Sequence, residues 1–93
     1  MKSLSVILFF LTLRLSNFAQ QHGFGGTVTD SLSNKVVSGA LIYVIKFDDS
    51  LIVSYGYSDS AGQYAFVDIV PGTYRLIISC PGFADYVDKI EVQ

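Results

Sequence analysis

From residue 26 to the end of the chain, hydrophobic residues alternate with polar ones or form short bursts of β-branched and aromatic residues. No stretch repeats its hydrophobic positions at the spacing of a helix. Turn-forming residues interrupt the bursts near positions 49, 60, 72 and 82, and a turn about every ten to twelve residues is typical of a sandwich or small barrel. The pattern predicts an all-β domain with strands at 26–29, 40–47, 51–57, 63–67, 73–79 and 86–92.

The first nineteen residues follow a different pattern. Lys2 precedes a nearly continuous apolar run over 4–13, and a polar stretch occupies 16–21. This is the layout of a secretory signal peptide, for which Ala19 is the best candidate cleavage position. We therefore predict a signal peptide containing a signal helix over 1–19, a linker over 20–25 and a domain over 26–93. The alternative is a retained anchor, but ten to twelve helical residues span about 15–18 Å, roughly half of a hydrocarbon core.

Removal of residues 1–19 would leave four basic residues against eight acidic ones, a net charge of −4. A mildly acidic domain with no cluster of basic residues lacks the surface that nucleic-acid binding requires, and it gains nothing from an anionic membrane surface. Nucleic acid is therefore excluded as a partner. Because Cys80 is the only cysteine, the domain has no internal disulfide and depends on packing. Cys80 is interpreted as a small packing residue, with pairing to another molecule left open.

Candidate catalytic and metal-binding residues are few. His22 is the only histidine and falls in the predicted linker, so the sandwich provides neither a Ser-His-acid arrangement nor a histidine metal site. Asp48, Asp49 and Asp59 could gather a calcium ion, but they lack the ligand spacing of a calcium loop and are interpreted as solvated turn acids. We predict a protein that is not an enzyme and has no catalytic, cofactor or metal site.

The aromatic residues of the domain exceed what the inner layer of so small a sandwich requires. If Tyr43, Tyr55 and Tyr57 share an outer face, they could bind a protein partner or stack on a glycan, because tyrosine combines a rigid apolar ring with a polar tip. Ordinary cross-strand packing is the alternative interpretation of the same residues.

Five segments in series resemble one known family. They are GGTVTD (25–30), VSGALI (37–42), SDSAGQY (58–64), PGTYRL (71–76) and PGF (81–83). In this order and spacing they are similar to the carboxypeptidase regulatory-like domain family. The resemblance implies a seven-stranded antiparallel β-sandwich of the transthyretin (prealbumin) type with Greek-key connections. Each segment also has a physical role as a turn or strand start, so the segments specify fold and not chemistry.

The resemblance also implies a setting for the domain. Such domains occur as non-catalytic modules attached to carboxypeptidases, to secreted or cell-surface proteins, and at the N-terminus of TonB-dependent outer-membrane receptors. We expect an exported protein of the periplasm and outer membrane or of the extracellular space, whose partner is another protein or the remainder of a receptor chain. Contact with the membrane is expected only through an attached barrel. A carbohydrate-binding module that uses the exposed tyrosines is the alternative function.

Overall fold

The computed structural model describes residues 2–14 and 20–93, and for residues 9–14 and 20–22 it describes the backbone alone. The described chain forms seven β-strands. In chain order, β1 to β7 are Leu4–Arg14, Gln20–Asp30, Leu41–Lys46, Ile52–Tyr57, Gln63–Val67, Gly72–Ser79 and Tyr86–Val92.

The seven strands form two antiparallel sheets. One has the order β1-β2-β5 and the other the order β4-β3-β6-β7, so β2 and β3 belong to different sheets, as do β4 and β5, and β5 and β6. β3 and β6 are the central strands of the larger sheet, which accounts for their continuous runs of hydrophobic residues. The predicted seven-stranded antiparallel β-sandwich is confirmed.

The core lies between the inner faces of the two sheets. In the larger sheet, Ile42 and Val44 of β3 and Leu76 and Ile78 of β6 are fully buried. Alternation along each strand places every second side chain inward, so these residues meet the inward residues of the other sheet. Those facing residues are Leu4, Phe24, Val28, Tyr64 and Phe66.

Ser58 holds the connection between β2 and β3 against the end of β4. Its buried hydroxyl donates to the Val37 carbonyl at 2.8 Å and accepts from the Ala40 amide at 2.9 Å. Both backbone groups lie just before β3, where the chain crosses between sheets. The hydroxyl therefore replaces ladder hydrogen bonds that this crossover cannot form.

The expected signal helix is wrong as a description of the local structure, because residues 4–14 form β1. This strand pairs with β2 from Leu4↔Asp30 to Arg14↔Gln20. A short apolar run does not distinguish helix from strand by periodicity alone. Here the open edge of β2 supplies backbone partners for the whole run, and Leu4 is buried in the core. Cleavage at Ala19 stays a prediction, and Ala19 lies outside the described residues.

The predicted linker over 20–25 is also corrected, since these residues form the first half of β2 and pair with β1. Gly23 and Gly25 suggested flexibility, but a glycine in a strand also allows close approach of a neighbouring backbone. A Cβ atom at Gly23 would lie 2.1 Å from the Phe66 carbonyl oxygen. Glycine at this position is therefore required by strand pairing.

Within residues 2–14 and 20–93, the structure has no helix long and apolar enough to cross a membrane.

Candidate docking face

The three tyrosines singled out from the sequence lie on the outer face of the larger sheet. Tyr43 of β3 is directly opposite Tyr55 of β4, and Tyr57 is opposite Leu41 two pairs further along. Because residues paired across a ladder point to the same side, the three side chains share one surface. Tyr55 and Tyr57 are 68% and 64% exposed, whereas Tyr43, between two neighbouring strands, is half-buried.

The register extends this surface across the whole sheet. Tyr43 also pairs with Ile77 of β6, and Ile77 pairs with Val87 of edge strand β7. Tyr55, Tyr43, Ile77 and Val87 therefore form one apolar row over four strands. Val87 is 56% exposed. We call this row together with Tyr57 the docking face.

Ile77 and Val87 could not be selected from the sequence, because they join the tyrosines only through strand pairing. Only a weak signal was present. Strand β7 alternates, and Val87 stands at an outward position of it together with Lys89. One exposed apolar residue does not by itself mark a surface patch, and the register of the sheet is what joins Val87 to the tyrosines.

A pair of basic side chains borders the docking face. Arg75 and Lys89 are opposite each other on β6 and β7. The Arg75 Cζ and the Lys89 Nζ lie 5.0 and 4.9 Å from the centre of the Phe47 ring, within cation–π range. Two of the four basic residues beyond position 19 thus stand beside the aromatic row of a chain that is acidic overall.

The docking face has the chemistry of a protein-binding surface. Tyrosine and arginine are the residues that most often dominate the binding energy of interfaces. Strand pairing holds the backbone of the row rigid, so binding would cost little ordering of the chain. The face is therefore suited to a flat, apolar partner surface with acidic groups opposite Arg75 and Lys89.

Comparison with known families identifies the domain. The model of the carboxypeptidase regulatory-like domain matches residues 23–93, which include all of β3 to β7 and most of β2. The chain belongs to the carboxypeptidase regulatory-like domain family. Searches of the curated proteins and of the solved structures gave no match.

Membership of the carboxypeptidase regulatory-like domain family suggests a non-catalytic module. The match begins three residues before the predicted domain start, within the segment that was expected to be a linker. It does not include β1, which the structure nevertheless pairs with β2. The docking face lies wholly within the matched residues.

The acidic residues considered for calcium lie at separate turns of this carboxypeptidase regulatory-like domain. Asp48 and Asp49 precede β4, whereas Asp59 follows it. The Asp59 carboxylate accepts the amides of Ala61 and Gln63, each at 2.9 Å, and so builds the β4–β5 turn. Among the described residues, no group of three or more His, Cys, Asp or Glu side chains could hold a metal ion.

A cavity of about 470 Å³ opens at the end of the sandwich where Asp48 and Asp49 lie. Its wall includes Lys46 and the buried Tyr74, whose hydroxyl donates to the Val70 carbonyl. The tyrosine hydroxyl is thus occupied in holding the β5–β6 loop. The polar side chains of the lining are those of Lys46, Asp48, Asp49, Asp68, Thr73 and Tyr74.

Tyr64, Tyr86 and Asp88 influence one another electrostatically, and of the three only Tyr64 is buried. Burial, with smaller contributions from Tyr86 and the charge of Asp88, raises the pKa of Tyr64 well above its usual range. Partial burial and then Asp88 raise the pKa of Tyr86, whose hydroxyl donates to the Asp88 carboxylate at 3.3 Å. Both phenols therefore stay protonated at neutral pH.

Cys80 and His22 have ordinary positions in the sheets and their connections. Cys80 is half-buried and packs against the hydrophobic core, in agreement with its interpretation as a packing residue. His22 belongs to β2 and not to a linker.

Proposed function

We propose that this chain is a non-catalytic interaction module of an exported cell-envelope protein and that it binds a protein partner through the docking face. The observation that carries the proposal is the apolar row Tyr55–Tyr43–Ile77–Val87, which lies on an outer sheet surface beside Arg75 and Lys89. A rigid aromatic surface with adjacent basic groups provides binding area and orientation without any reactive group.

The envelope setting rests on the segment before the family match. Residues 1–19 have the layout of a signal peptide and lead directly into the domain. Among the contexts of the family, the N-terminal domain of a TonB-dependent outer-membrane receptor fits this order, with a free-standing exported copy as the other form. In a receptor, the docking face would bind a periplasmic protein or the remainder of the receptor chain.

The reading frame beyond residue 93 tests the receptor form. A plug and barrel encoded in frame would support it, and a stop codon would favour the free-standing copy. In either form, fractionation of cells that express the chain should place it in the periplasm, outer membrane or medium. Recovery of the chain in the cytoplasm with residues 1–19 intact would contradict the proposed export.

Site-specific photo-crosslinking tests the docking face itself. A photoreactive phenylalanine analogue at position 55 should crosslink to one discrete envelope partner or receptor segment. The control places the analogue at Leu32, which is 82% exposed and belongs to the β2–β3 connection and not to the docking face. Val87→Ser should reduce crosslinking from position 55 without unfolding the domain, because this edge side chain is largely solvated. Equal crosslinking from positions 55 and 32 would contradict the proposal.

Carbohydrate binding is the second candidate function, and the shared exposure of Tyr55 and Tyr57 favours it. Aromatic rings on a rigid surface can stack on the apolar faces of sugar rings. Binding to envelope polysaccharides should then be lost in Tyr55→Ala and kept in Leu32→Ala. Absence of any binding across a glycan array would leave protein docking as the function.

A further inference from the structure

One segment of the chain is both a strand of the folded domain and part of the predicted signal peptide. Residues 4–14 form edge strand β1, and the same residues lie within the predicted signal peptide. Removal of the signal would take β1 out of the sheet. The β2 edge would then present unpaired backbone groups along a ladder that β1 otherwise occupies from Asp30 to Gln20.

The side chains of β1 show which residue types fit beside the β2 edge. Leu4 is buried, and Val6 and Leu8 are half-buried against the core, so three alternate residues point inward. Ile7, between them, is 69% exposed. Removal of β1 would uncover the hydrophobic residues beneath its inward side chains and leave a groove beside the β2 edge.

Backbone groups beyond the ladder fix where a strand in this groove must begin. The Ser31 amide donates to the Ser3 carbonyl at 3.0 Å, and the Ala84 amide donates to the Lys2 carbonyl at 2.7 Å. These two donors come from both sides of the groove. A strand that stopped short of these donors would leave both amides without a partner, so a strand that fills the groove must reach them.

Side chains add a charge preference at the same end. The Lys2 Nζ lies 4.0 Å from the Asp30 carboxylate and 5.8 Å from the centre of the Phe83 ring. Asp30 is nearly buried, so a cation beside it is favoured over an anion. The groove therefore accepts a basic residue followed by apolar residues two, four and six positions later.

We infer that, once the signal peptide is removed, this groove binds an antiparallel strand from another envelope polypeptide with the pattern basic-x-apolar-x-apolar-x-apolar. The inference rests on the export proposed above. The signal segment holds the groove closed until cleavage, and the incoming strand then restores the three-stranded sheet. Main-chain hydrogen bonds provide the affinity, and the inward pockets provide the selectivity.

The test uses the exported protein as processed by its host and, for comparison, the unprocessed full chain. Intact mass first determines whether residues 1–19 have been removed. The probe is a fluorescent peptide of residues 2–8 with a short lysine tail, measured by anisotropy. The processed protein should bind one peptide per chain, and the full chain, whose groove is filled, should not bind it.

Two peptide variants form a matched pair. Val6→Asp places a charge in the groove and should weaken binding at least about tenfold, whereas Ile7→Asp points to solvent and should change it less than about threefold. Equal weakening by both variants, or no peptide binding by a processed chain, would overturn the inference. An exported chain that retains residues 1–19 would instead contradict the predicted cleavage at Ala19, on which the opening of the groove depends.

Folding and self-association of the processed chain are measured on the same protein samples. If the processed chain is unfolded alone, recovery of its tyrosine near-ultraviolet dichroism on addition of the peptide would support the inference. Failure to recover with any peptide would overturn it. A stable dimer of the processed chain that excludes the peptide would also overturn it, because the occupant would then be a second copy.

Discussion

Tyr64 lies directly opposite Gly26 in the β2–β5 ladder, and its side chain extends across the space where a side chain at position 26 would stand. A Cβ atom at Gly26 would lie 2.8 Å from the Tyr64 hydroxyl and 2.4 Å from the Ile7 carbonyl oxygen. The glycine therefore lets one aromatic ring cover the middle of β2 while β1 approaches from the other side. The Tyr64 hydroxyl is buried and has no hydrogen-bond partner among the described residues.

We expect Tyr64→Phe to raise the free energy of unfolding by about 1 kcal/mol, because it removes a buried hydroxyl without changing the shape of the ring. Urea denaturation measures the difference. Tyr55→Phe is the matched control, since its hydroxyl is on an exposed side chain, and it should leave stability unchanged. A loss of stability in Tyr64→Phe would show that the hydroxyl has a partner in the folded chain.

The raised pKa values of Tyr64 and Tyr86 predict a loss of stability in alkaline solution. In the unfolded chain both phenols ionise near pH 10, whereas in the folded chain they keep their protons to higher pH. The folded state then binds more protons, so stability falls as pH rises above about 10, by up to about 1.4 kcal/mol per pH unit for the buried Tyr64 and by less for the more exposed Tyr86. Tyr64→Phe should make this fall shallower in denaturation curves collected between pH 9 and pH 12. Identical pH profiles would contradict the assignment to Tyr64.

Ser58→Ala should lower the free energy of unfolding by about 2 kcal/mol. It leaves the Val37 carbonyl and the Ala40 amide, both beside a buried serine, without their side-chain partner. Ser60→Ala, at an exposed position of the following turn, is the control and should have little effect. Thermal or urea denaturation distinguishes them, and similar values for both would show that the hydroxyl does not hold the crossover.

Alanine substitutions at Gly62 and Gly82 distinguish the stability cost of backbone strain from that of steric clash. Both have positive φ, +75° and +87°, but a Cβ at Gly62 would lie 2.8 Å from the Val28 carbonyl oxygen, whereas Gly82 has open space around it. Gly82→Ala should cost about 1 kcal/mol of stability, and Gly62→Ala about 3 kcal/mol. Equal losses measured by urea denaturation would mean that the β4–β5 turn can move away from β2.

Substitution on the docking face should separate binding from stability. Tyr55→Ser removes a side chain that is mostly solvated, so we expect the free energy of unfolding to change by less than about 0.5 kcal/mol. The inward neighbour Ile42→Ala, on the paired strand, should cost about 3 kcal/mol because it leaves a cavity in the core. A comparable loss in Tyr55→Ser would favour cross-strand packing as the role of the tyrosines.

The amino-acid sequence by itself determined the positions of β3 to β7 and the turns between them. These features depend on local chemistry: alternation of side chains along a strand, proline and glycine at fixed turn positions, and Asp59 accepting turn amides. It also raised a shared outer face for Tyr43, Tyr55 and Tyr57 as one of two interpretations, and the register of the β3–β4 hairpin decided between them.

Only the tertiary structure decided the conformation of residues 4–25 and the extent of the docking face. Both depend on strand neighbours that are distant in the sequence. The apolar run over 4–13 suits a helix or a strand, and the open edge of β2 makes it a strand. Ile77 and Val87 extend the tyrosine row only because β6 inserts beside β3 and β7 beside β6. The groove beneath β1 follows from the same cause, since a strand edge has no signature in the sequence until its partner is known.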